Sequence, residues 1–421
     1  MPAPIFPNIV GPVLPFGAGN SYGDSCMVEG GRLIDSRPGA MIRQFDPHNG
    51  RLVADAGVTL GAVLRLIGPR YTLHALPGTC HVTLGGAVAN DIHGRNHHRR
   101  GSFGAAVEAL TLRRSDQPGR LRVRPGDPLF DATIGGMGMT GLIETVTLRC
   151  MRVPSTDITQ STIPFTGLED GLALVEEAAQ CHEYVLAWVD ALSNGAQFGR
   201  GKLIIGDHAP PTRELAHRIG RAMSVPFTPP IPVVSALTVR AYNALQHRGL
   251  PPDGTTERMT QEAFTFPFDR FGEWNRLFGP RGLHQHQTVI PFANARKAIA
   301  EMIAETHGRR EYSSHAAIRV FGKSQSPGLM SFARRGISLT LDFPNHGKST
   351  EAMLDRLDAI ALSAGGAVNP SQDRRMSAET FARSMPDWHL VDAVRDPLIV
   401  SDFWRRTAMH LDVPTSFGRA A

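Results

Sequence analysis

Lysine is scarce in this chain of 421 residues: only four are present, against 44 lysines and arginines together. Acidic residues number 39, so the formal net charge is a modest +5. A nucleic-acid-binding surface needs its basic residues gathered into a stripe with aromatic partners, whereas the arginines here are scattered. The charge therefore predicts no nucleic-acid partner.

Long apolar runs and paired cysteines are also missing. No stretch approaches 18 consecutive apolar residues, which excludes a membrane-spanning helix. The amino-terminal stretch is broken by prolines and carries no early basic residue, so it is a poor secretory signal. The four cysteines, Cys26, Cys80, Cys150 and Cys181, show neither Cys-x-x-Cys spacing nor a disulfide pattern. We therefore expect no metal site, no membrane span and a cytoplasmic location.

Glycine and short β-type segments dominate the first 150 residues. Segments 51–58 and 141–148 have the composition of strands bounded by turn residues, and residues 59–67 repeat apolar side chains at helical spacing. The sequence pattern changes after Pro154, from glycine-rich loops and short strands to alternating predicted helices and strands. We therefore place a domain boundary near residue 153. The first part is thus predicted to be an α+β domain.

The second part alternates helices and strands. Helices are predicted over 167–179, 294–306 and 349–364, and strands over 285–291, 316–321 and 337–343. This order predicts an antiparallel sheet covered by helices on one face. Residues 209–253 hold many prolines and short helical pieces, which indicates an insertion or loop region.

Three glycine-rich loops lie in the first part, at residues 14–24, 76–94 and 133–143. Glycine has no Cβ, so the backbone N–H groups of such loops can converge on an anion. Three of them within 130 residues exceed what turns alone require.

These loops resemble the flavin-binding (PCMH-type) domain of the vanillyl-alcohol oxidase superfamily. More narrowly, the motifs at 21–24 (SYGD), 91–98 (DIHGRNHH), 271–276 (FGEWNR) and 378–381 (AETF) resemble the decaprenylphosphoryl-β-D-ribose oxidase family. The resemblance runs from about Leu14 to Leu411.

The resemblance implies a division of the chain into two parts. Residues 1–152 would form a two-subdomain FAD-binding domain, and residues 153–421 a substrate domain whose C-terminal segment returns to the flavin. The family fold opens with a helix and a strand ahead of the first glycine loop, whereas 16 residues precede Gly17 here. We therefore expect a truncated amino-terminal edge.

The resemblance also implies a set of FAD-binding residues. They are Gly17, Ala18, Gly19, Asn20, Ser21, Tyr22, Pro77, Gly78, Thr79, Thr83, Gly86, Ala87, Asn90, Ile92, His93, Gly94 and Ile143. In many superfamily members a histidine at the position of Asn20 is covalently attached to the flavin. Asparagine cannot form that bond, so we expect non-covalent FAD.

Histidines follow the second loop. His93 either bonds a backbone carbonyl as a structural residue or, as the resemblance implies, lies beside the flavin ring. There it could orient or deprotonate a substrate hydroxyl. His97 and His98 belong to a basic tract with Arg95, Arg99 and Arg100. We interpret this tract as a solvated loop, with contact to the cofactor or a phosphorylated substrate as the alternative. Tyr22 is either a core turn residue or, by resemblance, part of the substrate side of the flavin.

Two glutamines point to sugar binding. Gln285 and Gln287 alternate with His284 and His286 on a predicted strand, so each pair shares one face. The resemblance places the glutamines toward the active site, where amides bind sugar hydroxyls as donors and acceptors. Arg319 stands where the family has a lysine, and its guanidinium could bind a phosphate bidentately.

Two departures from the family pattern concern the reaction itself. Gln372 stands where the family has a lysine near the flavin pyrimidine ring, so a neutral dipole replaces a cation that would stabilise anionic reduced flavin. Thr340 replaces a cysteine, and its hydroxyl either faces a ligand or bonds within the sheet. His93, Tyr22, Gln287 and Gln372 are the candidate catalytic residues, and Gln285, Gln287, Arg319 and Thr340 the candidate substrate-binding residues.

The resulting prediction is an FAD-dependent oxidoreductase that oxidises a secondary hydroxyl of a phosphosugar or nucleoside-like furanose to a ketone. By family analogy, a separate NAD(P)H-dependent reductase would then reduce the ketone and complete an epimerisation. One alternative is an aldonolactone or alditol oxidase that uses O2. Another is a degenerate, non-catalytic flavin-binding protein, which Gln372 and the short amino terminus would suggest.

Overall fold

Two antiparallel sheets of different size organise the protein in a computed structural model, which describes residues 11–212, 223–248, 250–308 and 311–413. The strands up to residue 152 are β1 (Val13–Phe16), β2 (Arg32–Asp35), β3 (Ile42–Asp46), β4 (Arg51–Asp55), β5 (Tyr71–Thr72), β6 (Val107–Arg113), β7 (Leu121–Val123), β8 (Leu142–Arg149) and β9 (Met151–Arg152). The helices of this part are α1 (Leu60–Ile67), α2 (Leu84–Ala89), α3 (His97–Arg100) and α4 (Pro128–Thr133). A five-stranded sheet runs in the order β3-β4-β8-β6-β7, and β1 pairs with β2 in parallel.

The sequence explains the limits of these first elements. Thr59 caps α1 by accepting a hydrogen bond from the Ala62 N–H (3.3 Å), and the buried residues of the helix recur at helical spacing. The predicted helix is confirmed. The strand predicted over 51–58 ends early, at Asp55, because the chain at Gly57 turns against the backbone of Ser36.

The second part is built on an eight-stranded antiparallel sheet of order β14-β10-β12-β11-β17-β18-β16-β19. Its strands and the short pair β13 and β15 are β10 (Ile158–Phe165), β11 (Tyr184–Val189), β12 (Gly201–His208), β13 (Met223–Ser224), β14 (Thr255–Met259), β15 (Phe271–Gly272), β16 (Leu283–Ile290), β17 (His315–Phe321), β18 (Gly336–Pro344) and β19 (Ala367–Val368). The helices are α5 (Leu168–Cys181), α6 (Ala236–His247), α7 (Gln261–Thr265), α8 (Phe292–Gly308), α9 (Lys348–Ser363), α10 (Ala378–Ser384), α11 (Trp388–Ala393) and α12 (Asp402–Arg406).

Helices α5, α8 and α9 form a layer on one face of the large sheet. All nine residues of β18 are buried, so this central strand is covered on both faces. Its apolar residues Ile337, Leu339 and Leu341 belong to the same core as helix residues such as Met302 and Leu357. The predicted helix-covered antiparallel sheet and the α+β class are therefore confirmed.

The proline-rich region at 209–253 holds more order than its composition predicts. Residues 213–222 and 249 lie outside the described part of the chain, but residues 236–247 form the 12-residue helix α6. A capping box between Ser235 and Thr238 starts this helix just after the last proline of the run. Interpreting the whole region as a loop would be wrong.

The C-terminal segment lies against the start of the chain. The Val13 N–H donates to the carbonyl of Leu398 (2.8 Å), and Arg406 pairs with Asp24 in the first glycine loop (2.6 Å). The two ends therefore support each other across the fold. Among the helices of the described residues, none is long and apolar enough to cross a lipid bilayer.

Candidate active site

The three glycine loops, distant in sequence, meet around α2. A methyl group at Gly17 would lie 2.5 Å from Oγ1 of Thr83, which shows how closely the first loop approaches the second. The third loop attaches to the end of α2 through hydrogen bonds from the Gly135 N–H to the Val88 carbonyl (3.0 Å) and from the Met137 N–H to the Ala89 carbonyl (2.7 Å). The fold thus gathers all three loops at one place.

Free backbone donors line the first two loops. The N–H groups of residues 17–22, Gly78 and Thr79 donate to no acceptor among the described residues. A methyl group at Gly78 would meet no atom within 4 Å, so this face of the loop is open. Backbone N–H groups are normally paired, and a run of free ones in glycine-rich chain is suited to an anion such as a pyrophosphate. The loops therefore fit FAD.

The remaining predicted cofactor residues divide into two groups. Seven of them belong to the second loop or to α2, the segment that carries the open donors of Gly78 and Thr79: Pro77, Thr83, Gly86, Asn90, Ile92, His93 and Gly94. Asn90 also accepts a hydrogen bond from Ser371 (2.7 Å), which ties α2 to the second part of the chain. Ala87 and Ile143, in contrast, are buried in the apolar core behind the loops.

One face of the large sheet carries the predicted substrate residues. In β16 and β18, Gln285 lies opposite Asp342 and Gln287 opposite Thr340, while Arg319 in β17 lies opposite Ser338. Side chains alternate along a strand, so these residues share a face. His286 is on the other face, where its Nε2 lies 2.8 Å from Asp358 of α9. The predicted separation of the glutamines from the histidines is confirmed.

His93 meets this sheet face directly. Its Nε2 lies 2.8 Å from Nε2 of Gln287, and its ring packs against Phe321 and Phe332 at centroid distances of 4.7 and 5.8 Å. Burial, and after it the positive charges available at His97 and Arg319, lowers the pKa of His93 well below its usual range. The imidazole is therefore neutral at pH 7.

A second polar group forms on the same strand around Gln285. The Gln285 amide donates to Oδ1 of Asp342 (2.6 Å). Burial raises the pKa of Asp342 to about 6, against the hydrogen bond from Gln285 and the charge of Arg319. Tyr22, which is 38% exposed, stands at the edge of this group. Removal from water and the nearby Asp342 carboxylate both raise the pKa of its phenol.

Two guanidinium groups near these residues have no carboxylate partner within 4.0 Å among the described side chains. Arg319 donates to Oγ1 of Thr340 (3.2 Å), and Arg95 lies over the ring of Phe264 at 4.8 Å from its centroid. Burial lowers the pKa of Arg319 to about 10; burial and then the charge of Arg319 lower the pKa of Arg95 to about 9. Both groups stay charged at pH 7.

Sequence reasoning missed His315 and Asp342 as members of this site, and it included Arg95 only as part of a basic tract that could contact the cofactor or a phosphorylated substrate. The pKa of His315 falls to about 4 through burial and the charges of Arg319 and Arg95. Arg95 follows His93 by two residues, which is the one local signal that could have identified it. His315 and Asp342 join the site only through the register of β17 and β18.

The basic tract after His93 is not a loop, and at its histidines it is not solvated, so that interpretation is wrong there; only Arg99 and Arg100 are exposed. Residues His97–Arg100 form α3, in which His97 is fully buried and its Nδ1 accepts the Gly322 N–H (3.3 Å). Arg100 pairs with Glu183 (2.8 Å). The tract is basic because it binds the second part of the chain through hydrogen bonds and an ion pair.

Gln372 lies in a 3-10 turn at Pro370–Gln372 that adjoins α2 through the Ser371–Asn90 hydrogen bond. Its Oε1 is buried and has no hydrogen-bond partner in the described part of the protein. Buried polar atoms are rarely left unpaired, so Oε1 of Gln372 is suited to accept a hydrogen bond from a ligand, such as the imide N–H of a flavin. The turn therefore also fits a flavin ring.

A possible metal-ligand cluster lies next to the second loop. Atoms of Cys80, His81 and Asp269 come within 4.8 Å of one another. Asp269 already accepts the Cys80 N–H (2.8 Å), and burial together with this carboxylate raises the pKa of the thiol to about 12. A protonated thiol is a poor metal ligand.

Comparison with known proteins agrees with this geometry. Residues 11–116 match the FAD binding domain family. The chain is 30% identical over 416 residues to decaprenylphosphoryl-β-D-ribose oxidase of Mycolicibacterium smegmatis, covering 94% of this chain and 88% of that protein. It is also 32% identical over 380 residues to an uncharacterized protein from the mprA 5′ region of Streptomyces coelicolor, covering 84% and 100%.

The match to the mycolicibacterial oxidase covers 94% of this chain, far more than the FAD binding domain alone. The chain therefore belongs to the family of FAD-dependent oxidoreductases acting on CH–OH groups that includes decaprenylphosphoryl-β-D-ribose oxidase.

Proposed function

We propose that this protein uses non-covalent FAD to oxidise a secondary hydroxyl of a furanose sugar that carries a phosphate or another anionic group. The observation that carries the proposal is the polar face of the large sheet: it sets amide, carboxylate and hydroxyl groups beside two unpaired guanidinium groups, all opposite His93. The related mycolicibacterial protein is named for a phosphoryl ribose, which supports this substrate class.

The sugar would bind to the amide of Gln285 and to the Asp342 carboxylate, and to the Gln287 amide where its hydrogen bond to His93 is exchanged for one to the sugar. A sugar hydroxyl both donates and accepts, and a side-chain amide next to a carboxylate offers both complements. Tyr22 stands at the exposed edge of this group, where the substrate would enter.

The anionic group would bind between Arg95 and Arg319. Arg95 and Arg319 are half-buried like charges that raise each other's energy, and partial burial without a partner adds to that cost. A bound phosphate offsets both costs, and guanidinium groups bind its oxygens bidentately. This charge arrangement favours a phosphosugar over a neutral alditol or aldonolactone.

His93 would receive the hydrogen of the reacting hydroxyl. The imidazole is neutral at pH 7, so it can accept a proton without first losing one. The flavin, when bound, supplies the acceptor for the hydride that leaves the adjacent carbon. Gln372 would meet the flavin pyrimidine ring with a neutral amide.

The proposal also covers the division of the chain, the attachment of the flavin, the partner enzyme and the cellular location. Residues 1–152 would hold FAD between two subdomains, and residues 153–421 would bind the sugar. Asn20 offers no nucleophile for a covalent flavin bond. A separate NAD(P)H-dependent reductase would complete an epimerisation. A cytoplasmic location is supported by the four cysteines, which are free thiols.

The test is anaerobic mixing of FAD-loaded protein with a panel of sugar phosphates, nucleosides, alditols and aldonolactones. We expect a phosphorylated furanose to bleach the yellow flavin band. Bleaching only by an alditol or aldonolactone, with rapid reoxidation in air and peroxide release, would replace the proposal by the oxidase alternative. If no compound bleaches the band, the protein is a flavin-binding protein without this activity.

The variant that tests the role of His93 is His93→Gln. This variant should still bind FAD, because the free N–H groups of the loops are untouched, yet bleach about 100- to 10,000-fold more slowly. A variant that bound FAD and bleached at the wild-type rate would show that His93 takes no part in the reaction.

A further inference from the structure

We propose that Asn369 is a positioning residue: acting through the amide of Gln287, it holds Nε2 of His93 as the unprotonated, hydrogen-bond-accepting nitrogen of the ring. This role rests on the proposed function of His93. Asn369 belongs neither to the glycine loops nor to the substrate-facing strands. It directly follows β19 and caps the 3-10 turn at Pro370–Gln372.

The polarity of the hydrogen-bond chain is set at its far end by a backbone group. The Ser371 N–H can only donate, and it donates to Oδ1 of Asn369 (3.1 Å). The oxygen end of the Asn369 amide is therefore fixed, and the nitrogen end must face the other way. There Nδ2 donates to Oε1 of Gln287 (2.7 Å).

The same reasoning passes through Gln287 to the histidine. Because Oε1 of Gln287 faces Asn369, its amide nitrogen faces His93, and Nε2 of the two residues lie 2.8 Å apart. An amide nitrogen only donates, so the histidine nitrogen accepts and the hydrogen of the neutral ring resides on Nδ1. The second amide hydrogen of Gln287 goes to Oγ of Ser338 (3.2 Å).

Burial makes the arrangement rigid. Gln287 is 1% exposed and Asn369 7% exposed, so water has little access to either amide. If the Gln287 amide were reversed, two donors would face each other at Asn369 and two acceptors at His93. Each group left unpaired in this buried site costs roughly 1–3 kcal/mol. The chain from the Ser371 N–H to His93 thus has one favourable direction.

The groups around His93 add to this effect. The titratable and charged neighbours that act on the imidazole are His97 and Arg319, and the rings of Phe321 and Phe332 cover it. None of them supplies a negative charge that would hold a second proton. The one acceptor nitrogen of the ring is therefore already bonded to the Gln287 amide, and a hydroxyl that donates to His93 must replace that amide hydrogen at Nε2.

The test is ring-nitrogen NMR of FAD-loaded protein labelled with 15N-histidine. The His93 signals are assigned by their loss in His93→Gln. We expect the wild type to show an unprotonated Nε2 that does not titrate between about pH 5 and pH 9. A hydrogen on Nε2 in the wild type would overturn the proposal by itself, whether or not any variant folds.

The decisive variant is Asn369→Asp, because a carboxylate accepts but does not donate. It should turn the Gln287 amide around, move the hydrogen of His93 to Nε2 and raise the pKa of His93 by at least about one unit. The control is Asn243→Leu. It removes a different buried amide, which donates a hydrogen bond to Asp190 (2.7 Å) and belongs to neither end of the chain from Ser371 to His93. Unchanged His93 signals in Asn369→Asp would also overturn the proposal.

This experiment needs no substrate. A protein that bleaches with no sugar can still show the expected tautomer, and a protein that bleaches well can still show the wrong one. Failure of the positioning role and failure of the proposed function are therefore read separately.

Discussion

At the scale of single residues, buried charge is what separates this site from an ordinary sheet face. Asp342 is buried and Arg319 and Arg95 are half-buried, yet the described residues provide an ion-pair partner within 4.0 Å for none of them. Such groups lower the stability of the fold and are retained where a ligand uses them. Two predictions follow from individual side chains.

Asp342→Asn should change how stability depends on pH. The pKa of Asp342 is raised from 3.8 to about 6 in the folded protein, so the carboxyl group favours folding below pH 4, and that advantage is lost as pH rises through 6. We expect the free energy of unfolding of the wild type to fall by about 3 kcal/mol more than that of the variant over this interval. Urea unfolding at pH 4 and pH 7 measures the free energy of unfolding of both proteins. An equal fall in the wild type and in Asp342→Asn would contradict the raised pKa.

Gln372→Lys should raise the reduction potential of bound FAD. A cation in place of a neutral amide stabilises the extra negative charge of the reduced flavin. An upward shift of about 30–60 mV is expected, equivalent to about 1.4–3 kcal/mol. Potentiometric titration measures it, with Gln372→Met as the uncharged control. An unchanged potential would place Gln372 away from the flavin.

At the scale of elements, the cap of α2 links local stability to cofactor binding. Thr83 accepts the Gly86 N–H (3.2 Å) and also lies against Gly17 of the first loop. Thr83→Ala should cost about 1 kcal/mol as a lost cap and weaken FAD binding as well. Ser377→Ala removes the equivalent cap of α10, where Ser377 accepts the Thr380 N–H (3.1 Å), and should leave FAD binding unchanged. Fluorescence titration with FAD compares the two, and equal affinities would show that the cap does not shape the cofactor site.

Elements are also the scale at which sequence prediction succeeds and fails. Local patterns were sufficient for α1, for the alternation of glutamines and histidines in β16, and for the glycine loops, because each depends on residues close in sequence. The membership of His315 and Asn369 in the site depends on contacts between different segments: His315 pairs with Asp342, and Asn369 lies 82 residues from its partner Gln287. No local period encodes that register, so these residues could be found only in the folded chain.

At the scale of the whole molecule, the C-terminal segment holds the first glycine loop in place. Arg406 pairs with Asp24 at the end of the loop and also donates to the carbonyl of Met376. Arg406→Leu should leave Asp24 unpaired and weaken FAD binding about tenfold, equivalent to about 1.4 kcal/mol. The control is Arg383→Leu, whose partner Glu379 is exposed at 3.9 Å and contributes little. Equal FAD affinities in the two variants would show that the loop holds its shape alone.

The central claim is that the FAD-loaded protein oxidises the hydroxyl of an anionic sugar that binds to the sheet face opposite His93. The most direct measurement is the rate of anaerobic flavin bleaching by a phosphorylated furanose and by its dephosphorylated counterpart, in the wild type and in Arg319→Gln. We predict fast bleaching by the phosphorylated sugar in the wild type, and a loss of at least about tenfold on removing either the phosphate or the arginine charge. Equal rates for the two sugars, or no bleaching by either, would contradict the account.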